Sequence, residues 1–74
     1  MREYVEREFV FKSDMVNWIY DYFSETGDAL TDEEYDELNA IYGKQEAETY
    51  LVDTFKNFWI YRMDNGHWIA KRRA

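Results

Sequence analysis

Residues Phe58–Arg73, which read FWIYRMDNGHWIAKRR, decide the predicted fold. The pair Asn65-Gly66 lies between two runs of apolar and aromatic residues. It favours a two-residue type I′ turn, in which both central residues adopt positive φ. Such a turn places Met63 opposite Trp68, so the stretch predicts a C-terminal β-hairpin.

This register also predicts which side chains share each face of the hairpin. Tyr61 would lie opposite Ala70 and Trp59 opposite Arg72. Because an isolated hairpin is not stable in water, we expect the rest of the chain to cover its aromatic face. That face carries Trp59, Tyr61, Met63, Trp68 and Ala70. The opposite face carries Ile60, Arg62, His67, Ile69 and Lys71.

The N-terminal half predicts a strand followed by a helix. Alternating apolar residues in Tyr4–Lys12 favour a strand, which we expect to pair with the hairpin. Ser13 is a suitable N-cap for a helix over Asp14–Glu25, in which apolar side chains recur at helical spacing. Gly27 is placed to end this helix.

A second helix is predicted to begin after Thr31. Thr31 and Glu34 have the spacing of a capping box, and the acids that follow Thr31 suit the positive end of a helix dipole. Gly43 is predicted to end this helix. Its inward-facing side chains are predicted to be Tyr35, Leu38, Ile41 and Tyr42.

Residues 45–57 carry apolar side chains at helical spacing, although Thr49–Val52 would also suit a strand. We predict a third helix there. The order is then β-α-α-α-β-β, with three helices on a three-stranded antiparallel sheet. This is an α+β fold, expected as a single domain over residues 1–74.

The charge is distributed unevenly along the chain. Residues 13–55 carry twelve acids and one base, whereas residues 56–74 carry five bases and one acid. The formal net charge is −7, and aromatic residues make up 20% of the chain. Such a small domain is not expected to bury every aromatic ring, so we expect some of them at an interface.

Composition also sets limits on function. The chain has no cysteine, which excludes disulfides and thiolate metal sites. The charged start has no apolar leader segment, and no apolar run reaches the length of a membrane helix. We therefore expect a cytoplasmic protein without membrane contact. The EF-hand spacing and phosphate-binding glycine loops are absent, and we expect no cofactor or metal.

No catalytic arrangement is evident in the sequence. His67 is the only histidine, and no serine or cysteine nucleophile is arranged with it. Its position beside a tight turn favours a solvated or cross-strand role. We predict that the protein is not an enzyme and has no catalytic residues.

The acidic helical segments carry the main functional prediction. Carboxylates on the predicted helices would lie several ångströms apart on a rigid surface, an arrangement that can imitate a nucleic-acid backbone. Such a surface would bind a basic groove on a nucleic-acid-binding protein through salt-dependent attraction. The residues predicted to make these contacts are Asp14, Asp21, Glu25, Glu33, Asp36 and Glu37.

Two alternatives use the C-terminal hairpin instead. It could be the interface of an assembly or adaptor module, including a homodimer, through Trp59, Tyr61, Arg62 and Trp68. In that case the acids only keep the domain soluble. Alternatively, the basic residues Arg62, Lys71, Arg72 and Arg73 could bind nucleic acid directly. The net acidity argues against this, because a nucleic-acid-binding domain is expected to be basic.

In size, acidity and aromatic content the chain resembles small virus-encoded inhibitors of host enzymes, including DNA mimics such as anti-restriction and anti-CRISPR proteins. The resemblance is one of type and covers gross composition only. It implies a non-enzymatic, phage-encoded inhibitor that acts against a host defence protein in the host cytoplasm.

Overall fold

The fold was obtained as a computed structural model, which describes residues 3–41 and 53–74 and the backbone of 45–46 and 49–50. It is a mixed α+β arrangement with two helices and a four-stranded antiparallel sheet. The helices are α1 (Lys12–Glu25) and α2 (Asp32–Asn39). The strands are β1 (Tyr4–Phe9), β2 (Gln45–Glu46), β3 (Thr49–Tyr50), β4 (Asp53–Phe55), β5 (Phe58–Arg62) and β6 (Trp68–Arg73). The sheet order is β1-β6-β5-β4, and β2 and β3 form a separate pair.

The predicted C-terminal hairpin is confirmed, but its register differs from the predicted one by one residue. Trp59 lies opposite Lys71, not opposite Arg72, and Tyr61 lies opposite Ile69. The prediction that β1 joins this hairpin is also confirmed, because β1 pairs antiparallel with β6.

The turn explains the difference in register. The Gly66 amide donates to the Met63 carbonyl at 3.0 Å, and the Met63 amide donates to the His67 carbonyl at 2.8 Å. The loop is therefore Asp64–Gly66, and within it only Gly66 has positive φ, at 83°. This is the longer hairpin loop that ends in a glycine bulge, not the two-residue type I′ turn.

The new register reverses the faces of β5. A shift of one residue moves every side chain of a strand to the opposite face. Phe58 and Ile60 are therefore buried beside Trp68, whereas Trp59 and Tyr61 lie half-buried on the other face. The predicted burial of Trp68 and Ala70 is confirmed, and the prediction that Trp59, Tyr61 and Met63 share their face is wrong.

The core lies between α1 and the face of the sheet that carries Phe58. The ring of Phe58 contacts the rings of Trp18, Tyr22 and Phe23, with centroid distances of 5.9, 5.3 and 5.6 Å. Each such edge-on contact adds about 1 kcal/mol to the burial of the rings. Met15 and other apolar residues of α1 complete this core. The other face of the sheet, opposite α1, we call the open face.

Both helices begin close to the predicted positions. The first begins at Lys12, two residues before the predicted Asp14, and its N-cap is Phe11, which makes no side-chain capping bond. Ser13 is therefore not the N-cap. The capping box of the second helix is confirmed, with hydrogen bonds in both directions between Thr31 and Glu34.

The second helix is shorter than predicted, ending at Asn39. The predictions for Tyr42 and Gly43 lie outside the described residues. The prediction of a third helix over residues 45–57 is wrong. Where the structure describes this segment, it contains β2, β3 and β4. Lys56 and Asn57 form a tight turn that pairs Phe55 with Phe58. No helix within the described ranges is long and apolar enough to cross a membrane.

Candidate acidic binding surface

The two helices carry half of the acidic residues of the chain. Residues 13–40 contain nine acidic residues and no basic residue. All of these acidic side chains are exposed except Glu34, which is half-buried. We call the set formed by the six predicted contact residues the acidic surface: Asp14, Asp21, Glu25, Glu33, Asp36 and Glu37.

The acids of α1 lie along one side of that helix. Spacings of seven and four residues bring Asp14, Asp21 and Glu25 to nearly the same side, about 10 and 6 Å apart along the axis. Asp14 and Asp21 line an open groove between α1 and β1. This side of α1 therefore borders β1.

The acids of α2 form a second exposed group. Glu33, Asp36 and Glu37 have the three- and four-residue spacings that place side chains next to each other on a helix. Glu33 belongs to the acidic first turn, where the helix dipole stabilises negative charge. The capping box of Thr31 holds this end of the helix in a fixed position. The carboxylates therefore project from a preformed element.

Two tyrosines lie where the helices meet. The ring of Tyr20 on α1 contacts the ring of Tyr35 on α2, with centroids 5.6 Å apart and an edge-on geometry. The two side chains are 39% and 38% exposed. The prediction that Tyr35 faces inward is wrong, because α2 buries only Leu38. The two groups of acids are thus separated by a pair of aromatic rings that a partner can reach.

One lysine neutralises part of the helical charge. Lys56 Nζ lies 2.7 Å from Glu34 Oε2 and 3.4 Å from Asp28 Oδ2. The hydrogen bond from Lys56 lowers the pKa of the Glu34 carboxyl, and the backbone hydrogen bond from Thr31 acts in the same direction. Neither Glu34 nor Asp28 belongs to the acidic surface, so these two ion pairs use none of the predicted contact residues.

The residues of the alternative hairpin interface are not all on one face. Trp59 and Tyr61 are half-buried on the open face. Trp68 is buried on the opposite face, where Lys12 and Arg62 lie over its ring at 5.5 and 5.2 Å. On the open face, the ring of Trp59 contacts the ring of Tyr4, with centroids 6.2 Å apart. Trp59 therefore does not share a face with Trp68.

The basic C-terminal residues contact aromatic rings of the same chain. Lys71 lies over Tyr4 at 4.5 Å, Arg72 over Tyr22 at 4.2 Å, and Arg73 over Trp59 at 6.0 Å. Cation–π contacts of this kind hold cations close to the protein surface. A direct nucleic-acid site on these residues would need the side chains to leave those rings.

The single histidine has an acidic neighbour. His67 Nδ1 lies 2.9 Å from Glu8 Oε2 of β1, which agrees with the predicted cross-strand role. In the described ranges, no group of three or more histidine and carboxylate side chains is placed to hold a metal ion. The expectations of no catalytic residue, no cofactor and no metal stay predictions.

Comparisons of the chain with models of protein families, with curated proteins and with solved structures give no significant match. Only the surface chemistry of this chain therefore bears on its function.

Sequence reasoning missed three features of the surface. Tyr35 was predicted to face inward because it has helical spacing with Leu38. However, α2 is too short and too acidic to bury both side chains. Phe11 was assigned to the first strand but is 66% exposed at the start of α1. Lys56 was placed in a helix, and the sequence gives no signal for its contact with Glu34 across the turn.

Proposed function

We propose that the protein is a non-enzymatic inhibitor whose acidic surface mimics nucleic acid and occupies a basic groove on a host nucleic-acid-binding protein. In this proposal the chain is phage-encoded and acts in the cytoplasm of the host cell. Binding alone causes inhibition, because the groove cannot hold its nucleic acid and this protein at once.

The observation that carries the proposal is a run of exposed carboxylates on two fixed helices, without a basic residue between residues 13 and 40. Regularly spaced charges of one sign raise the local potential and accelerate association with a surface of opposite sign. A flexible acidic tail would lose conformational entropy on binding. Helices α1 and α2 are already ordered, so this loss is smaller.

The exposed tyrosine pair supports a protein partner. Tyr20 and Tyr35 present apolar ring surface and hydroxyl groups next to the acids. Tyrosines of this kind are frequent among residues that contribute most to protein interfaces. Carboxylates would then supply attraction and orientation, while the rings supply contacts that a nucleic-acid backbone lacks.

The proposal is tested by capturing partners from bacterial lysate with the tagged protein and identifying them by mass spectrometry, with and without competitor DNA. The predicted result is a nucleic-acid-binding protein that DNA displaces. The captured protein is then purified, and its nucleic-acid binding is measured with increasing amounts of the inhibitor. Simultaneous binding of DNA and this protein to the partner would contradict the proposal.

A second candidate function uses the open face of the sheet. In the described part of the chain, α1 packs on the opposite face of the sheet and α2 packs on α1, so Trp59, Tyr61 and Ile69 remain half-exposed. Together with Tyr4 they form an aromatic surface of the kind found in protein interfaces. The protein would then be an assembly or adaptor module, and the acids would only solvate the helices.

The two candidates respond differently to substitution. Trp59→Ala removes a ring from the open face and leaves the acidic surface intact. Under the adaptor function this variant loses its partner, or dissociates if the complex is a homodimer, and competitor DNA has no effect. Under the inhibitor function it retains its DNA-displaceable partner.

A further inference from the structure

Strand β1 forms one edge of the four-stranded sheet. The Ala74 amide donates to the Glu3 carbonyl at 3.0 Å. Because hydrogen-bonded pairs alternate along an antiparallel ladder, the backbone groups of Val5 and Arg7 also point towards β6. Those of Tyr4, Glu6 and Glu8 point away from the sheet. This edge therefore presents a row of donors and acceptors to which a further strand can bind.

A groove runs between this edge and α1. Its volume is about 520 Å³, and we call it the β1–α1 groove. The side chains that matter for its chemistry are Arg7, Phe11, Asp14, Trp18 and Asp21. An edge strand beside a helix is the arrangement in which several peptide-binding domains hold an extended segment.

The charge and apolar surface of the groove define its ligand. Two carboxylates of α1 line it, those of Asp14 and Asp21, against the guanidinium of Arg7, whereas the Glu8 carboxylate contacts His67 on the open face. At the end of β1, Val10 and Phe11 are 57% and 66% exposed. The α1 side of the groove is thus acidic, with apolar side chains at one end.

We propose that the β1–α1 groove binds an extended basic segment of the partner protein, which adds to β1 as a further strand. The inference rests on the proposed function for the class of partner, a basic nucleic-acid-binding protein. Beyond that function, it specifies that an extended segment of the partner is bound, and that the outward-pointing backbone groups of β1 bind it.

The side-chain pattern of the segment follows from the faces of β1. Residues directly opposite each other in a ladder lie on the same face. Phe9 of β1 is buried towards α1, so Arg7 and Val5 share that side. Partner side chains on this side of the added strand lie nearest Asp14 and Asp21, and these are the basic positions. The residues between them lie on the open face.

A second copy of this chain fits the edge poorly. Pairing of β1 with β1 about a two-fold axis would bring the two α1 helices side by side, about 10 Å apart. The carboxylates of Asp14 and Asp21 would then face those of the second copy, and like charges at this distance repel. The same carboxylates attract lysine and arginine side chains, so the charge favours a basic segment.

The test uses a capped peptide in which lysine alternates with threonine or valine. The control is the same peptide N-methylated at each threonine and valine, which removes backbone donors but no charge. Binding is followed by NMR with hydrogen exchange of the protein amides. We expect slower exchange at Tyr4, Glu6 and Glu8 with the first peptide and no such change with the second. Equal protection by both peptides would overturn the proposal.

Matched protein variants test the groove carboxylates. Asp14→Asn with Asp21→Asn is expected to weaken peptide binding at least about fivefold. Asp32→Asn with Asp53→Asn changes the net charge equally outside the groove and is expected to leave binding nearly unchanged. If both double variants lost the same amount of peptide affinity, the cause would be nonspecific charge attraction, and the proposed groove site would be wrong. A dimer in sedimentation, with the same amides protected without peptide, would also overturn it.

Failure of this inference can be distinguished from failure of the proposed function. If the Asp14→Asn, Asp21→Asn variant binds a DNA-displaceable partner as tightly as the unmodified protein, the groove is not the site and the inhibitor function stands. If no DNA-displaceable partner exists, the function fails, whatever the peptide does.

Discussion

The Lys56 ammonium lies 2.7 Å from the Glu34 carboxylate and joins the β4–β5 turn to the first turn of α2. Glu34 also accepts a hydrogen bond from the Thr31 amide at 3.1 Å, so one carboxylate serves both the helix cap and the ion pair. Lys56 lies 4.9 Å from the ring centroid of Phe23 as well. Lys56 therefore connects α2 to the β4–β5 turn and to α1.

Replacing Lys56 with methionine is expected to lower the melting temperature at neutral pH. The pKa of Glu34 is lowered in the folded state, chiefly by the hydrogen bond from Lys56. The stabilisation is therefore complete above the ordinary carboxyl pKa of 4.5 and is lost as the pH falls through the folded-state value. Thermal unfolding followed by circular dichroism should show the difference between the two proteins shrinking in acid.

At the alkaline end the sign is opposite. The hydrogen bond to Glu34 raises the pKa of Lys56 above its ordinary 10.5, so the stabilisation is complete below pH 10.5 and is lost as the pH rises through the raised value. The control is Glu34→Gln, which keeps the capping bond and removes the charge. If Lys56→Met is equally destabilising in the Glu34→Gln background, the ion pair is not the cause.

The register of the hairpin predicts that substitutions at two adjacent residues destabilise the protein to different extents. Ile60 is fully buried, and Ile60→Ala is expected to lower the free energy of unfolding by about 2–5 kcal/mol. Tyr61→Ala, on the open face, is expected to cost less than half as much. Urea denaturation of both variants measures this. A larger effect at Tyr61 would support the register expected from a type I′ turn.

The hairpin loop depends on one glycine. Gly66 has φ of 83°, and a Cβ at this position would have no atom within 4 Å, so only the backbone conformation opposes a side chain. Gly66→Ala is therefore expected to cost about 1–2 kcal/mol in free energy of unfolding. Gly66→Asn is expected to cost less, because asparagine adopts positive φ more readily. Equal stabilities for all three proteins would contradict this assignment of the loop.

The sequence predicted the parts of the fold that depend on local chemistry. Thr31 and Glu34 form their capping box because the bonds involve only neighbouring residues. The hairpin exists where Asn65-Gly66 indicated it, but its register depends on whether one or both residues adopt positive φ. Dipeptide identity alone does not decide that question, and the outcome changed the face of every β5 side chain.

The wrong prediction of a third helix also arose because residue types alone do not decide the backbone conformation. Phe55 and Phe58 have helical spacing, but they also lie on either side of a tight turn, where they pair across β4 and β5. Lys56 at φ of 51° is uncommon for a lysine and was not predictable from its type. Exposure of the predicted acids followed from their charge, whereas exposure of Tyr20 and Tyr35 depended on how α2 packs against α1.

The tyrosine pair gives a further prediction. Tyr20→Ser with Tyr35→Ser is expected to weaken binding of the captured partner at least about tenfold, because exposed rings supply apolar contact area at interfaces. The free energy of unfolding should change little, since both side chains are more than one-third exposed. Calorimetric titration measures the affinity. An unchanged affinity would show that the rings are not contacts.

The central claim is that the helical carboxylates themselves bind the partner. The most direct measurement is the dissociation constant of the purified partner for Glu33→Gln with Glu37→Gln, taken at several salt concentrations. The matched control is Glu6→Gln with Asp53→Asn, which removes the same charge from the sheet. The account predicts roughly tenfold weaker binding and a shallower salt dependence for the helical variant alone. Equal affinities for the helical variant, the sheet variant and the unmodified protein would contradict it.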